Sequence, residues 1–174
     1  HPQDQGAKLI LQQIAQWKLD PEIMQRAIFL QDYDQEVARQ LVQSVDVWMN
    51  VPRRPLEASG TSGEKVAMNG GLNLSVLDGW WPEGYDGTNG WAVGDATVTA
   101  TDGAAHDEDA LDAESLYRVL ETEVVPAYYD RDAQGVPRRW VAMMKRSIET
   151  LVPAFNSDRM VQEYARKIYL GETV

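Results

Sequence analysis

Between Arg53 and Gly79 the chain reads RRPLEASGTSGEKVAMNGGLNLSVLDG. This one stretch holds a turn of glycine, serine and threonine, a single lysine, a short helical run and a strand-like run. A loop of that composition turning into a helix points several backbone N–H groups at one place. The helix dipole favours negative charge there, so the chemistry on offer is anion binding. Lys65 is expected in the first turn of that helix, beside whatever the loop holds. An amine so placed is available as a nucleophile, and the reading is that Lys65 carries a covalently bound phosphorylated cofactor.

Blander readings compete for the same residues. GTSGEK has the glycines of a metal–nucleotide loop, but that motif needs Gly-Lys-Ser/Thr in sequence. Here Gly63 is followed by Glu64, and Val66 stands where the hydroxyl belongs, so the nucleotide reading fails. What survives is a generic phosphate cradle, or glycines that only make a tight turn. Lys65 is either solvated surface, the ordinary condition of a lysine, or an amine held between the cradle and the apolar run Val66, Ala67 and Met68. The second arrangement is what a Schiff base with a pyridoxal cofactor needs. His106 with Asp107, Glu108 and Asp109 has metal-ligand residue types, but a charge run in a loop is usually solvent-facing and no metal is expected. Trp80, Trp81, Tyr85 and Trp91 have faces that stack on sugar rings, and equally suit a core under a long loop.

The elements around this stretch alternate. Ile10, Ile14 and Trp17 mark an amphipathic helix over 7–18, ended by Asp20-Pro21. RAIFL at 26–30 reads as a buried strand, Asp34 as the cap of a helix burying Val37, Ala38, Leu41 and Val42, and VDVWM at 45–49 as the next strand. Helix and strand in alternation imply parallel strands joined by crossover helices. The loop of interest then follows the carboxyl end of a strand, where open α/β sheets bind ligands. LNLSVL at 72–77 alternates like a strand, 78–91 is too rich in glycine and aromatics for a regular element, and Trp91 to Val93 adds a last short strand. After an acidic connection over 95–110, three helical stripes follow. These are Leu116, Val119, Leu120 and Val124 with Asp112 as cap; Trp140, Met143, Met144, Ile148 and Leu151; and Met160, Val161, Tyr164, Ala165 and Ile168, capped by Asn156 or Ser157. The expected organisation is a Rossmann-like portion over 1–100 and a helical tail over 101–174, packed as one unit. An open α/β sheet normally begins with a strand, and His1-Pro2 is not a translation start, so the chain is expected to be an excised piece of something longer.

The 174 residues are enough for one domain with a real core, at ordinary globular values of 44% apolar and 25% charged. No run reaches the roughly 20 apolar residues of a membrane helix. The chain has no cysteine, which removes disulfides and thiolate metal sites and fits a cytoplasmic protein. A net charge of -11 argues against nucleic acid as partner.

RRPLEASGTSGEKVAMNGGLNLSVLDGWWPEGYDGTNGWAVGD resembles the cofactor segment of the bacterial α-glucan (glycogen/starch) phosphorylases. FLQDYD, ARQLVQSVDVWMN and the helical tail fit the same family. Sugar-nucleotide glycosyltransferases of the two-Rossmann-domain class are also similar, but carry glutamates eight residues apart where this chain has Glu57 and Lys65. The resemblance implies an α/β fold: a partial Rossmann-like C-terminal domain of a GT-B (two-Rossmann-domain) enzyme, with a helical C-terminal tail. It implies phosphorolysis of terminal α-1,4 glucosidic bonds, with α-1,4-glucan and inorganic phosphate as substrates, glucose 1-phosphate as product and pyridoxal 5'-phosphate as cofactor. By the same resemblance Lys65 holds that cofactor, and Gly60, Thr61 and Ser62 contact its phosphate. Glu57 then binds a glucose hydroxyl, with the Ala58, Ser59 and Gly60 amides beside it. Membrane and nucleic acid are not implied; a homo-oligomeric parent is compatible with it. Two departures stand out. Glu64 replaces a methionine common in the family, and the family's lysine- and arginine-rich phosphate motif is expected upstream of residue 1, so the piece alone is expected to be inactive. The remaining alternatives are a non-catalytic folded module with an empty site and a sugar-nucleotide GT-B glycosyltransferase, which Lys65 disfavours.

Overall fold

A computed structural model of the chain describes residues 2–94 and 105–171, the side chains of 105–107 excepted. Its contacts divide the chain into two units, His1–Ala38 and Arg39–Val174.

The first unit carries α1 (Gln5–Trp17) and α2 (Pro21–Met24). Asp4 caps α1 by accepting the Ala7 N–H at 2.9 Å, and Asp20 caps α2, whose first residue is Pro21. These are local, sequence-encoded starts. The amphipathic pattern of α1 is present, but neither helix buries a side chain. RAIFL is not a strand: residues 26–30 have no regular structure and Ile28 is 81% exposed. A strand needs a partner for its backbone groups, and no strand among the described residues pairs with this run. Asp34 does cap α3 (Gln35–Ser44), accepting the Val37 N–H at 2.9 Å.

The second unit is an α/β arrangement that fits a partial Rossmann-like domain. Its parallel sheet has the order β1 (Val47–Asn50), β2 (Leu72–Val76), β3 (Gly90–Val93). Val47 stands opposite Leu72, and Val76 opposite Val93. The crossover between β1 and β2 is α4 (Thr61–Met68); that between β2 and β3 contains the single turn α5 (Trp81–Gly84), inside the loop the sequence leaves irregular. β2 is the central strand and is buried at all five positions, as expected where helices cover both faces. Leu72, Leu74 and Val76 point to one cluster with Trp91, Val93, Val119, Val124, Ala127 and Trp140. On the other side Ala67, Trp80, Trp81 and Leu151 form a second cluster, joined by Leu77, Tyr85 and Phe155.

The tail is helical as the stripes predict: α6 (Ala105–Val119), α7 (Val125–Tyr129), α8 (Arg138–Ala154) and α9 (Ser157–Tyr164). A π-helical turn, Leu120–Val124, joins α6 to α7 beside Pro126, which has no N–H to give the preceding turn. Asp112 is not a cap. It lies inside α6, and its carboxylate pairs with the buried Arg54 at 3.0 Å. Asn156 is the cap of α9, accepting the Arg159 N–H at 2.8 Å. The third stripe does not reach a core, since α9 and the π-helical turn after it, Ala165–Tyr169, bury no side chain. No helix among the described residues is long and apolar enough to cross a membrane.

Candidate functional site

α4 begins at Thr61, so Lys65 lies one turn further in than the sequence predicts. The start is set by Gly60, which takes φ +90 as the N-cap, a conformation costly for any residue with a Cβ. Glycine has no side chain to cap the first turn, and none does so. The Gly63 N–H turns back to Gly60 O at 3.1 Å. The head of α4 is therefore an uncapped, positively polarised terminus of an eight-residue helix. Lys65 returns to it, placing Nζ 3.4 Å from Thr61 Oγ1.

Thr61 and Lys65 line one cleft of about 650 Å³ together with Glu64 and Met68. The opposite wall is the corner between α8 and α9, with Ala154, Phe155, Asn156, Ser157, Arg159 and Met160. Arg159 lies over the Phe155 ring at 5.9 Å from its centroid and pairs with Glu163 at 3.5 Å. Val66 and Ala67 are buried as the sequence suggests, whereas Met68 and Lys65 are exposed. Burial pushes the Glu64 carboxyl above its ordinary range, with the Lys65 charge opposing that rise.

Glu57 sits on the other side of Gly60. A Cβ added at Gly60 would lie 3.2 Å from Glu57 Oε1 and 3.3 Å from the Trp80 ring. Ala58 and Ser59 are exposed, and Ser62 is half-buried in the first turn of α4. The structure thus groups Thr61 with Lys65 in the cleft and Glu57 with Gly60 beside it. Of the aromatic residues of 78–91, Trp80, Trp81 and Trp91 are buried in the core and Tyr85 is half-buried. A smaller cavity of about 230 Å³ at the carboxyl ends of β1 and β2 is walled by Val51, Pro52, Val76 and Leu116, with the Arg53–Asp109 ion pair at its rim. Lys65 and Thr61 do not line it. Asp109 is thereby paired with a cation, His106 and Asp107 lie outside the described side chains, and no metal-binding group of three occurs among the described residues.

An anionic cofactor bearing an aldehyde fits these residues. The Thr61 hydroxyl and the Lys65 amine face one cleft wide enough for a small aromatic phosphate, with Arg159 as a second cation, whereas Gly60 and Ser62 of the helix head do not line it. Glu64 is the one group of the wrong charge.

No family model matches the chain. It is 50% identical over 169 residues to a glycogen phosphorylase of Aquifex aeolicus, covering 97% of this chain and 24% of that protein. The chain is a phosphorylase homologue. It is 47% identical over 169 residues to a maltodextrin phosphorylase of Thermococcus litoralis, and 47% over 171 residues to a glycogen phosphorylase of Mycobacterium tuberculosis, in each case 97% of the chain and 19% of the relative. The chain thus spans about a fifth to a quarter of the length of these phosphorylases. Sequence reasoning missed the α8–α9 wall, and it marked 78–91 as a loop without the bond from the Trp80 N–H to Ser59 O. Arg159 carries no motif, and it comes to line the cleft that Lys65 lines only through the corner of α8 and α9.

Proposed function

We propose that the chain is the cofactor-bearing C-terminal portion of a GT-B α-glucan phosphorylase, whose whole protein cleaves terminal α-1,4 glucosidic bonds with inorganic phosphate to give glucose 1-phosphate. The observation that carries this is Lys65 and Thr61 on one cleft along the side of α4, in a chain about half identical to glycogen and maltodextrin phosphorylases. Lys65 is the residue that holds pyridoxal 5'-phosphate covalently. Gly60, Thr61 and Ser62 hold its phosphate through backbone N–H groups and the Thr61 hydroxyl. When bound, the cofactor supplies a phosphate next to the substrate phosphate, for proton movement to the glycosidic oxygen. Glu57 accepts from a glucose hydroxyl, with the Ala58, Ser59 and Gly60 amides completing that side. The fixed N–H dipoles of the α4 head hold anions in contact without reorganising when charge moves.

The 174 residues alone do not turn over. The two cations on the cleft wall, Lys65 and Arg159, face Glu64, and Arg159 is already paired with Glu163. That is too little positive charge for two phosphates, and the proteins that share this sequence are four to five times longer.

The test is incubation with pyridoxal phosphate at limiting concentration, reduction with borohydride and peptide mass spectrometry. Modification is expected at Lys65 ahead of Lys8, Lys18, Lys145 and Lys167, the internal controls. Lys65→Ala should leave only the slow background. Equal modification of all five lysines would overturn the cofactor assignment and leave a folded module with an empty site.

A further inference from the structure

We propose that Asp78 is a positioning residue for Glu57, its carboxylate fixing the loop from which Glu57 reaches the sugar; this rests on the reading of Glu57 given above. Asp78 follows β2 at its carboxyl end, twenty-one residues from Glu57 in sequence. Its Oδ2 accepts the Glu57 N–H at 2.9 Å, and its Oδ1 accepts the Gly79 N–H at 2.9 Å. The second bond is the local turn that an aspartate makes anywhere. The first joins residues twenty-one apart in sequence and has no such explanation. It ties the Glu57 end of the loop to the rigid central strand of the sheet.

The tie is doubled on the far side of Ala58, where the Trp80 N–H donates to Ser59 O at 2.8 Å. Between these bonds Gly79 stands at φ +59 with its α-carbon facing the loop. A Cβ there would collide with Ser59 O and come within 2.9 Å of Glu57 Cγ. The Trp80 indole then covers the turn as far as Gly63, 3.1 Å from a Cβ built at that glycine, and packs edge-on against Phe155 at 5.0 Å. One short segment therefore sets the Glu57 side chain against Gly60 and joins that side to a wall residue of the Lys65 cleft. A carboxylate acceptor makes a stronger bond to an N–H than a neutral one, and it fixes the backbone from which the Glu57 carboxylate projects.

The experiment is amide hydrogen exchange on the whole chain, resolved residue by residue by NMR, for Asp78→Ala and Asp78→Asn. In Asp78→Ala, Glu57 exchange should rise about tenfold or more, Trp80 should follow, and Val66 and Leu74 should keep their wild-type rates. Asp78→Asn retains one acceptor oxygen and should fall between; it also serves if the alanine variant does not fold. Borohydride labelling of Lys65 by pyridoxal phosphate should be unchanged in both, because Lys65 hangs from α4. Glucose should shift the Glu57 and Gly60 amides of the wild type and shift them less in Asp78→Ala. Glu57 exchange within twofold of wild type in both variants would overturn the proposal, as would loosening that reaches Val66 and Leu74 equally. A wild-type chain whose Glu57 and Gly60 amides ignore glucose would instead defeat the sugar role of Glu57, with the exchange rates alone deciding whether Asp78 holds the loop.

Discussion

Glu64 brings a carboxylate into a cleft whose other charges, Lys65 and Arg159, are cationic. Its raised pKa comes first from burial, with Lys65 pulling the other way. A carboxyl whose folded pKa lies above its unfolded value adds stability that is fully present below the ordinary glutamate range. That stability is lost as pH rises through the raised value, so at neutral pH the ionised Glu64 is a burden on the fold and on any anion bound beside it. Glu64→Gln should therefore lower the pyridoxal phosphate concentration needed for half-labelling of Lys65 at neutral pH by about threefold to tenfold, the range expected from one like charge a few ångströms away in a partly solvated site. The gap from wild type should close as pH falls into the carboxylate range. An unchanged ratio across pH would mean that Glu64 points away from the bound phosphate. The sequence puts Glu64 next to Lys65 but not on the same face of the cleft, since neighbours on a helix diverge by about 100°. The corner of α8 and α9 supplies the opposite wall of the cleft that both line.

At the scale of elements, α4 is held to the sheet at Gly63. Asn73 of β2 donates from Nδ2 to Gly63 O at 3.0 Å, and both are buried. A Cβ at Gly63 would stand 2.5 Å from Asn73 Oδ1 and 3.1 Å from the Trp80 ring. Gly63→Ala should destabilise the chain by about 1–3 kcal/mol through overpacking. Asn73→Ala should do so by about 1–3 kcal/mol, through loss of the buried amide and its hydrogen bond to Gly63 O. In denaturant titrations the two losses should be less than additive, because the shortened side chain at 73 makes room for the new methyl; strict additivity would show that the amide is not what the helix rests on. This contact was half legible. The pattern LNLSVL does announce β2, but alternation of that kind usually means one face in water. Asn73 and Ser75 are instead buried, 1% and 3% exposed, with Asn73 donating to Gly63 O and the Ser75 hydroxyl to Val76 O. The run 26–30 errs the other way. Its apolar residues predict burial, while strand formation depends on a pairing partner that composition does not encode.

Over the whole molecule, order is unevenly distributed. Both core clusters belong to the second unit, and every one of their buried residues lies between Ala67 and Leu151. In the first unit, α1 and α2 bury nothing: Ile10 is 59% exposed and Trp17 60%. Isolated helices of thirteen and four residues are marginal in water even when well capped, so Asp4 and Asp20 can start these helices without making them persist. The alternation read from the sequence held for β1, β2 and β3 and failed at 26–30, since periodicity reports a preference for burial and not what supplies it. Local opening should follow the same division. Brief trypsin treatment should cut first after Lys8, Lys18 and Arg26, and only later after Arg131, Arg138 or Arg139. In hydrogen exchange, the amides of 5–24 should be gone while those of Leu72, Leu74 and Val76 remain. Early cleavage at Arg138 or Arg139 would show that α8, which lends Trp140 to one cluster and Leu151 to the other, is not a fixed part of the core. The wall it gives to the Lys65 cleft would then be transient as well, and labelling of Lys65 would lose its advantage over the surface lysines in the same preparation.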